Sequence, residues 1–346
     1  MKIKERMGMK NVIVVLAALS IGLLGSCKKD DSPEASATRA GGYLIVNEGG
    51  FGKGNATLGH VNKLGEYEDA IFETENERKL GDVFQTIFST NEHHFLVVNN
   101  SAKIEVLNKK TFKVENTLEN LGSPRYMVMA GAKGWVNDLF SPKVTYFDIT
   151  NPSTTTTINL NGTAASIASA GDLVHMVVNG KLVTIDATTM EQKSDSMNYG
   201  MSLITALTNN KDEIYALAKG TGDSMYALKI DGTTKELKSK LFIEENTSWL
   251  SVFRYSARNG EFSFYDNNTI YEISTANFDA VNKVTVPSEA TYVYSYTIHP
   301  VTGDYYLCDA KDFVQAGEVI QISKAGVVKN KVNVGINPNS CIFLSE

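Results

Sequence analysis

Short apolar runs that stop at an asparagine or aspartate recur along most of the chain. They occupy residues 43–47, 95–99, 134–137, 176–179, 262–266 and 306–309, and 215–219 is a seventh copy ending in lysine. Their last residues lie 52, 38, 42, 40, 47 and 43 apart, a mean of about 44 and so the length of one four-stranded blade. A second series follows in step and ends at Asn62, Asn108, Asp148, Asp186, Asp231, Ser274 and Ser323. A third apolar run precedes each copy except the first, and the missing one stands at the far end, in residues 340–344. Apolar residues cluster or alternate and do not recur at helical spacing, so no long helix is predicted. The pattern predicts an all-β, seven-bladed β-propeller with four-stranded blades. Its C-terminal strand joins blade one, and that closure removes exposed sheet edges. Neither Trp135 nor Trp249 sits in a Trp-Asp pair, which sets the WD40 subtype aside.

With 42% hydrophobic and 21% charged residues over 346 positions, the chain has enough apolar material to fold, which excludes a disordered protein. Residues 1–10 are basic and residues 12–24 free of charge, a stretch too short to span a bilayer and of secretory type. It closes on Leu24-Gly25-Ser26-Cys27, the pattern of a lipoprotein signal whose cysteine is acylated. The expected division is a signal at 1–26, a lipidated flexible tether at 27–40 and the propeller at 41–346. Lys29-Asp30-Asp31 resembles the export signal that places some lipoproteins of Gram-negative gut anaerobes on the outer leaflet of the outer membrane. Net charge is -6, more negative still without the basic leader, which disfavours nucleic acid as a partner. Cys308 and Cys341 lie in apolar runs and are predicted to be buried thiols, with a disulfide as the alternative.

Signatures of metalloprotease, serine hydrolase, phosphate-binding loop and Cys-x-x-Cys chemistry do not occur. His93 and His94, adjacent in a β-type segment, point to opposite faces and are not expected to share a metal. The glycine-rich stretch 49–55 lacks a following helix and reads as a flexible surface loop between two strands of blade one. The acidic run 66–77 reads as a solvated last strand and connection. Turn chemistry accounts for the ring of Asn47, Asn99, Asn137, Asn179, Asp266 and Asp309 as well as for the second series on the opposite face. Connections after Asn47, Asn137, Lys219 and Asp309 are long and uneven, as on a binding face. They carry Phe51 with Asn55, Asp138 with Phe140, and Asp309 with Phe313; links between blades add Arg125 with Tyr126, Asn246 with Trp249, and Tyr292 with Tyr294. Aromatic surface flanked by hydrogen-bonding groups suits a large, flat ligand rich in amides or hydroxyls. The candidate ligand-binding set is therefore Asn47, Phe51, Asn55, Asn99, Arg125, Tyr126, Asp138, Phe140, Trp249, Asp266, Tyr292, Tyr294, Asp309 and Phe313, without catalytic or metal-binding members.

Cys27 with its acidic follower, the opening Asn47-Glu48-Gly49-Gly50-Phe51-Gly52, the later Asn55-Ala56-Thr57-Leu58 and the sevenfold rhythm together resemble the YncE-like surface-layer propeller lipoproteins. Within that group they resemble the BtuG-type corrinoid-capturing proteins. The likeness spans residues 41–346 and is most specific at the opening motif. It implies a non-catalytic receptor without cofactor, lipid-anchored in the outer membrane and facing outward. The receptor would bind cobalamin or a related corrinoid and pass it to a TonB-dependent transporter. Haem, a glycan or a protein as ligand, a structural surface-layer role, and a lactonase-like hydrolase are the alternatives, in that order.

Overall fold

The computed structural model describes residues 39–197, 199–208, 212–243, 253–256, 260–279 and 281–344. The strand Tyr43–Asn47 shows why the apolar runs carry so little polar alternation. Successive side chains of a strand leave on opposite faces. Leu44 and Val46 pack with Phe84, Leu96 and Val98 on one side, whereas Tyr43 and Ile45 pack with Tyr306, Cys308 and Val319 on the other. A strand held between two neighbouring blades has no solvent face, so every position is apolar. Leu237–Phe242, last in its blade, is by contrast largely exposed.

Among the described residues 28 strands form seven antiparallel four-stranded sheets. Six sheets are consecutive in sequence. The remaining one begins with Pro338–Phe343 and continues with Tyr43–Asn47, Thr57–Val61 and Tyr67–Glu68, and it sets Phe343 opposite Tyr43 and Cys341 opposite Ile45. First strands of neighbouring blades touch all the way round, from Phe84–Ser89 through Pro124–Ala130, Ala164–Ala170, Ser202–Thr208, Phe253–Ser256 and Val293–Ile298 to Pro338–Phe343 and back. They line the axis of a closed seven-bladed ring, as the repeat predicts. Thr38–Glu346 forms one compact unit. Cys308 and Cys341 are both buried and both free.

The acidic run departs from expectation. It holds a two-residue strand, Tyr67–Glu68, and a short helix, Ile71–Asn76, whose Ile71 and Phe72 are buried. Only two apolar side chains anchor the helix, too few to register as a period. Glu68 and Glu75 of this run bind the Arg39 guanidinium at 2.6 and 2.8 Å.

One irregularity of the first strands bears on function. In six blades the pairing with the second strand slips near its start and leaves an extra residue unpaired. These residues are Asn339, Gln85, Ala165, Ile204 and Tyr294, and in the third blade Arg125 and Tyr126 oppose Asn137. Such bulges re-aim a side chain. Here they ring one end of the axis, polar on the first three blades and the seventh and apolar on the fourth and fifth.

Candidate functional site

Those polar bulges surround a pocket of about 430 Å³ at the end of the ring where the first strands begin. Its floor starts with Glu48, next after the second strand of blade one and only 7% exposed. Gln85 Nε2 donates to Glu48 Oε1 at 3.0 Å, the Tyr294 hydroxyl donates to both carboxyl oxygens at 3.2 and 3.3 Å, and Asn339 Nδ2 donates to Oε1. One carboxyl thus joins the first strands of the seventh, first and second blades. Burial pushes its pKa up to about 7, against the opposing pull of these hydrogen bonds and of the Arg125 charge. Burial, reinforced by Glu48, also pushes the Tyr294 hydroxyl up.

The pocket has an aromatic rim. Phe51, Phe140 and Phe313 line it on three loops, and Phe51 and Phe140 are 78% and 75% exposed. Exposure of that size on aromatic side chains needs an explanation. Phe313 is buttressed edge-on by Tyr292 and Tyr294, at ring separations of 4.9 and 5.6 Å.

Each rim loop is pinned. Gly52 N–H donates to the Asp82 carboxylate at 2.9 Å and Gly50 N–H to Asn55 Oδ1 at 2.9 Å. The glycine-rich stretch is therefore an anchored loop and not the loose one its composition suggests. Gly49 is required, since its φ is +75° and a Cβ there would lie 2.6 Å from Asn55 Oδ1. Asp138 Oδ1 accepts from Phe140 N–H and Ser141 N–H at 2.9 and 2.7 Å, and its Oδ2 accepts from Ser123 N–H at 2.9 Å. Asp309 repeats the device with Lys311, Tyr292 and Thr291 N–H groups at 2.7–2.9 Å.

The two polar rings differ in purpose. Residues of the second series make Asx and Ser turns: Asn108, Asp148, Asp186, Asp231, Ser274 and Ser323 each accept from the backbone N–H two residues ahead. In the first ring turn chemistry is not the whole account. Asn99 Nδ2 donates to Pro124 O at 2.9 Å and Asn137 Nδ2 to Ala164 O at 2.7 Å, so each reaches the first strand of the next blade. Asn179 Nδ2 donates to Asn161 O at 2.6 Å in the connection before its own blade.

Of the residues selected from sequence, Phe51, Asn99, Arg125, Phe140, Tyr294 and Phe313 line the pocket together. Asn55, Tyr126, Asp138, Tyr292 and Asp309 support them from behind. Asn47 is fully buried and donates to Thr57 Oγ1 and the Tyr67 hydroxyl at 3.1 and 3.0 Å. Asp266 is buried in the sixth blade and does not line the pocket. Trp249 and Asn246 lie outside the described residues, as does Cys27. Sequence reasoning passed over Glu48, Gln85, Asn337 and Asn339. Glu48 and Gln85 leave strands in a polar step, a usable signal; Asn339 joins only because the ring closes.

His93 Nε2 lies 2.8 Å from Glu115, whereas His94 is buried against Phe112, so the pair does face opposite ways. Among the described residues no three His, Cys, Asp or Glu side chains gather as a group able to hold a metal ion.

Seven closed blades with a polar, aromatic-rimmed recess at one end of the axis define a seven-bladed β-propeller of the loop-face pocket type. The chain belongs to the family described as domain of unknown function DUF5074, whose model matches residues 41–304. No curated protein matches it. Among solved structures it is similar to a quinonprotein alcohol dehydrogenase-like protein from Bacteroides thetaiotaomicron, with a TM-score of 0.69 and 13% identity over 88% of this chain and 79% of that one. A protein provisionally assigned as a 6-phosphogluconolactonase from Bacteroides fragilis gives 0.64 and 12% over 88% and 98%. Apo AztD from Citrobacter koseri gives 0.58 and 11% over 88% and 98%. At such identities the likeness establishes the fold alone.

Proposed function

We propose that the pocket end of the ring is the capture site of a cell-surface lipoprotein and that its ligand is cobalamin or a related corrinoid. The observation that carries this reading is the pair of exposed rings, Phe51 and Phe140, standing with Phe313 around a floor of carboxyl, amide and hydroxyl groups. Exposed aromatic side chains supply apolar contact area, and the few polar groups inside fix orientation. A corrin carries peripheral amides on a flat macrocycle wider than the pocket, so it would rest across the rim and direct some amides to the floor. Anchorage through Cys27 and transfer to a TonB-dependent transporter of the outer membrane complete the proposal, both on the strength of the sequence resemblance.

The test is direct. Thr38–Glu346 mixed with a slight excess of cyanocobalamin passes through a desalting column, and red colour travelling with the protein at about one per chain supports the reading. A colourless protein peak, with no heat on titration at micromolar concentrations, overturns it and turns attention to haem, glycans or a protein ligand.

A further inference from the structure

Four arginines are described, and three have oxygen partners. Arg39 binds Glu68 and Glu75, Arg78 binds Glu105, and Arg254 donates to Tyr296 O. Arg125 makes no hydrogen bond or ion pair among the described residues, and its Nε is buried without an acceptor. Its guanidinium lies 5.0 Å over the Tyr126 ring and lines the pocket, where it is the sole cation. The position is not accidental. Asn99 holds the carbonyl of Pro124 and Asn137 accepts from Tyr126 N–H at 2.9 Å, so the peptide groups on both sides of Arg125 are fixed.

A guanidinium presents five donors in a planar fork suited to carboxylate or phosphate oxygens, and unpaired buried donors are uncommon in folded proteins. A second orphan lies in the same wall. Asn337 donates to Gly49 O at 2.7 Å, yet its Oδ1 is buried and unpartnered, with the residue only 8% exposed. A ligand that offers an anionic oxygen to Arg125 and an N–H or O–H toward Asn337 would satisfy both.

We propose that Arg125 is the receptor for an anionic oxygen group, a phosphate ester or a carboxylate, on a ligand whose apolar body lies against Phe51, Phe140 and Phe313. The inference rests on the reading of this pocket as a ligand site and adds the charge class of the ligand. Glu48, the sole acid in the lining, does not cancel the cation fully, because a carboxyl that titrates near 7 is partly neutral at neutral pH. The charged and titratable groups facing it are Arg125 and Tyr294, and Gln85 and Asn339 complete its surroundings with neutral amides.

Phenyl phosphate and benzoate, with benzamide as the uncharged counterpart, serve as probes. Each is titrated into Thr38–Glu346 by calorimetry and by observing the arginine side-chain Nε–H resonances. At least one anion is expected to saturate and shift the Arg125 resonance, to bind at least about tenfold more tightly than benzamide, and to lose that advantage in Arg125→Gln. Arg125→Lys should retain part of it, and an unchanged urea midpoint in both variants shows that folding is intact. Benzamide binding as well as both anions, anion binding undiminished in Arg125→Gln, or no saturation by tens of millimolar overturns the proposal. Phosphate and carboxylate are told apart by which anion wins, and inorganic phosphate shows whether the aromatic body is needed. Cyanocobalamin held equally by wild type and Arg125→Gln would sink this inference while sparing the receptor reading. Anion binding without cobalamin binding would do the reverse.

Discussion

The side-chain carbonyl of Asn137 accepts a hydrogen bond from Tyr126 N–H at 2.9 Å, within the bulge that carries Arg125, while its Nδ2 reaches Ala164 O of the next blade at 2.7 Å. One buried amide therefore sets a pocket residue and stitches two blades. Asn137→Ala leaves a buried N–H and a buried C=O without partners, and the expected loss is about 2–3 kcal/mol of stability. Urea denaturation measures it. An unchanged midpoint would mean that water takes over both roles.

Exposure separates binding aromatics from structural ones. Phe51→Ala and Phe140→Ala should leave stability within about 0.5 kcal/mol, because both side chains stand largely in solvent. Each should weaken capture of the ligand about five- to thirtyfold, which titration of the variants would read. Phe72→Ala is the contrast, with a fully buried ring whose removal should cost about 3–5 kcal/mol. Rim variants that bind as wild type would place the ligand elsewhere.

Glu48 makes stability depend on pH in an uncommon direction. Its folded pKa, about 7, exceeds the 4.5 of the free side chain, so the native state holds the proton more tightly. The resulting stabilisation is complete below the unfolded value and disappears as pH rises through the folded one, about 3 kcal/mol in all. Glu48→Gln keeps an acceptor oxygen and removes the titration. Between about pH 5 and pH 8 the wild type should lose stability relative to this variant. Parallel pH profiles from chemical denaturation would contradict the assignment.

The buried histidines act at the acid end. Burial lowers the pKa of His94 and of His175 to about 4. Each therefore contributes stability above its unfolded value near 6.5 that fades as pH falls toward 4. Replacing His175 with Gln should flatten the decline in melting temperature between those limits. No change in slope would show that other groups govern acid unfolding.

Cys308 and Cys341 are the two cysteines of Thr38–Glu346 and are both free. Burial, reinforced by Cys308, pushes the Cys341 thiol well up, and a buried protonated thiol is a poor nucleophile. A disulfide reagent should find no reactive thiol in the folded unit and two after unfolding in guanidinium. Rapid labelling of the folded unit would show that the seam between these strands opens readily.

The blade rhythm was legible because a strand between two blades must be apolar throughout, and its ends must turn. Residues 43–47 and 306–309 show both in a handful of letters. Half of the pocket was legible for a related reason: Phe51, Phe140 and Phe313 are large apolar residues in loops, where packing does not require them. Glu48 and Asn339 were not, since a lone acid or amide beside a strand usually meets water, and the closure that buries these two is a long-range event. The helix Ile71–Asn76 was missed because its helicity rests on tertiary contact of Ile71 and Phe72 and not on periodicity. The likeness to surface-layer propellers drew on the stretch from Asn47 to Gly52, and that stretch builds the floor, the tight turn and one rim ring of the pocket.

Glu48 and Asn339 are 291 residues apart in sequence and meet only when the last blade has been laid against the first. A molecule seated on Glu48, Tyr294 and Arg125 therefore straddles the one joint of the ring that no continuous blade spans. It acts as a clasp. Because it binds the closed ring and not the open one, its binding free energy adds to the barrier against opening. A loaded carrier should resist proteases and heat better than an empty one, and a chain that has not yet zipped up holds no partial version of the site.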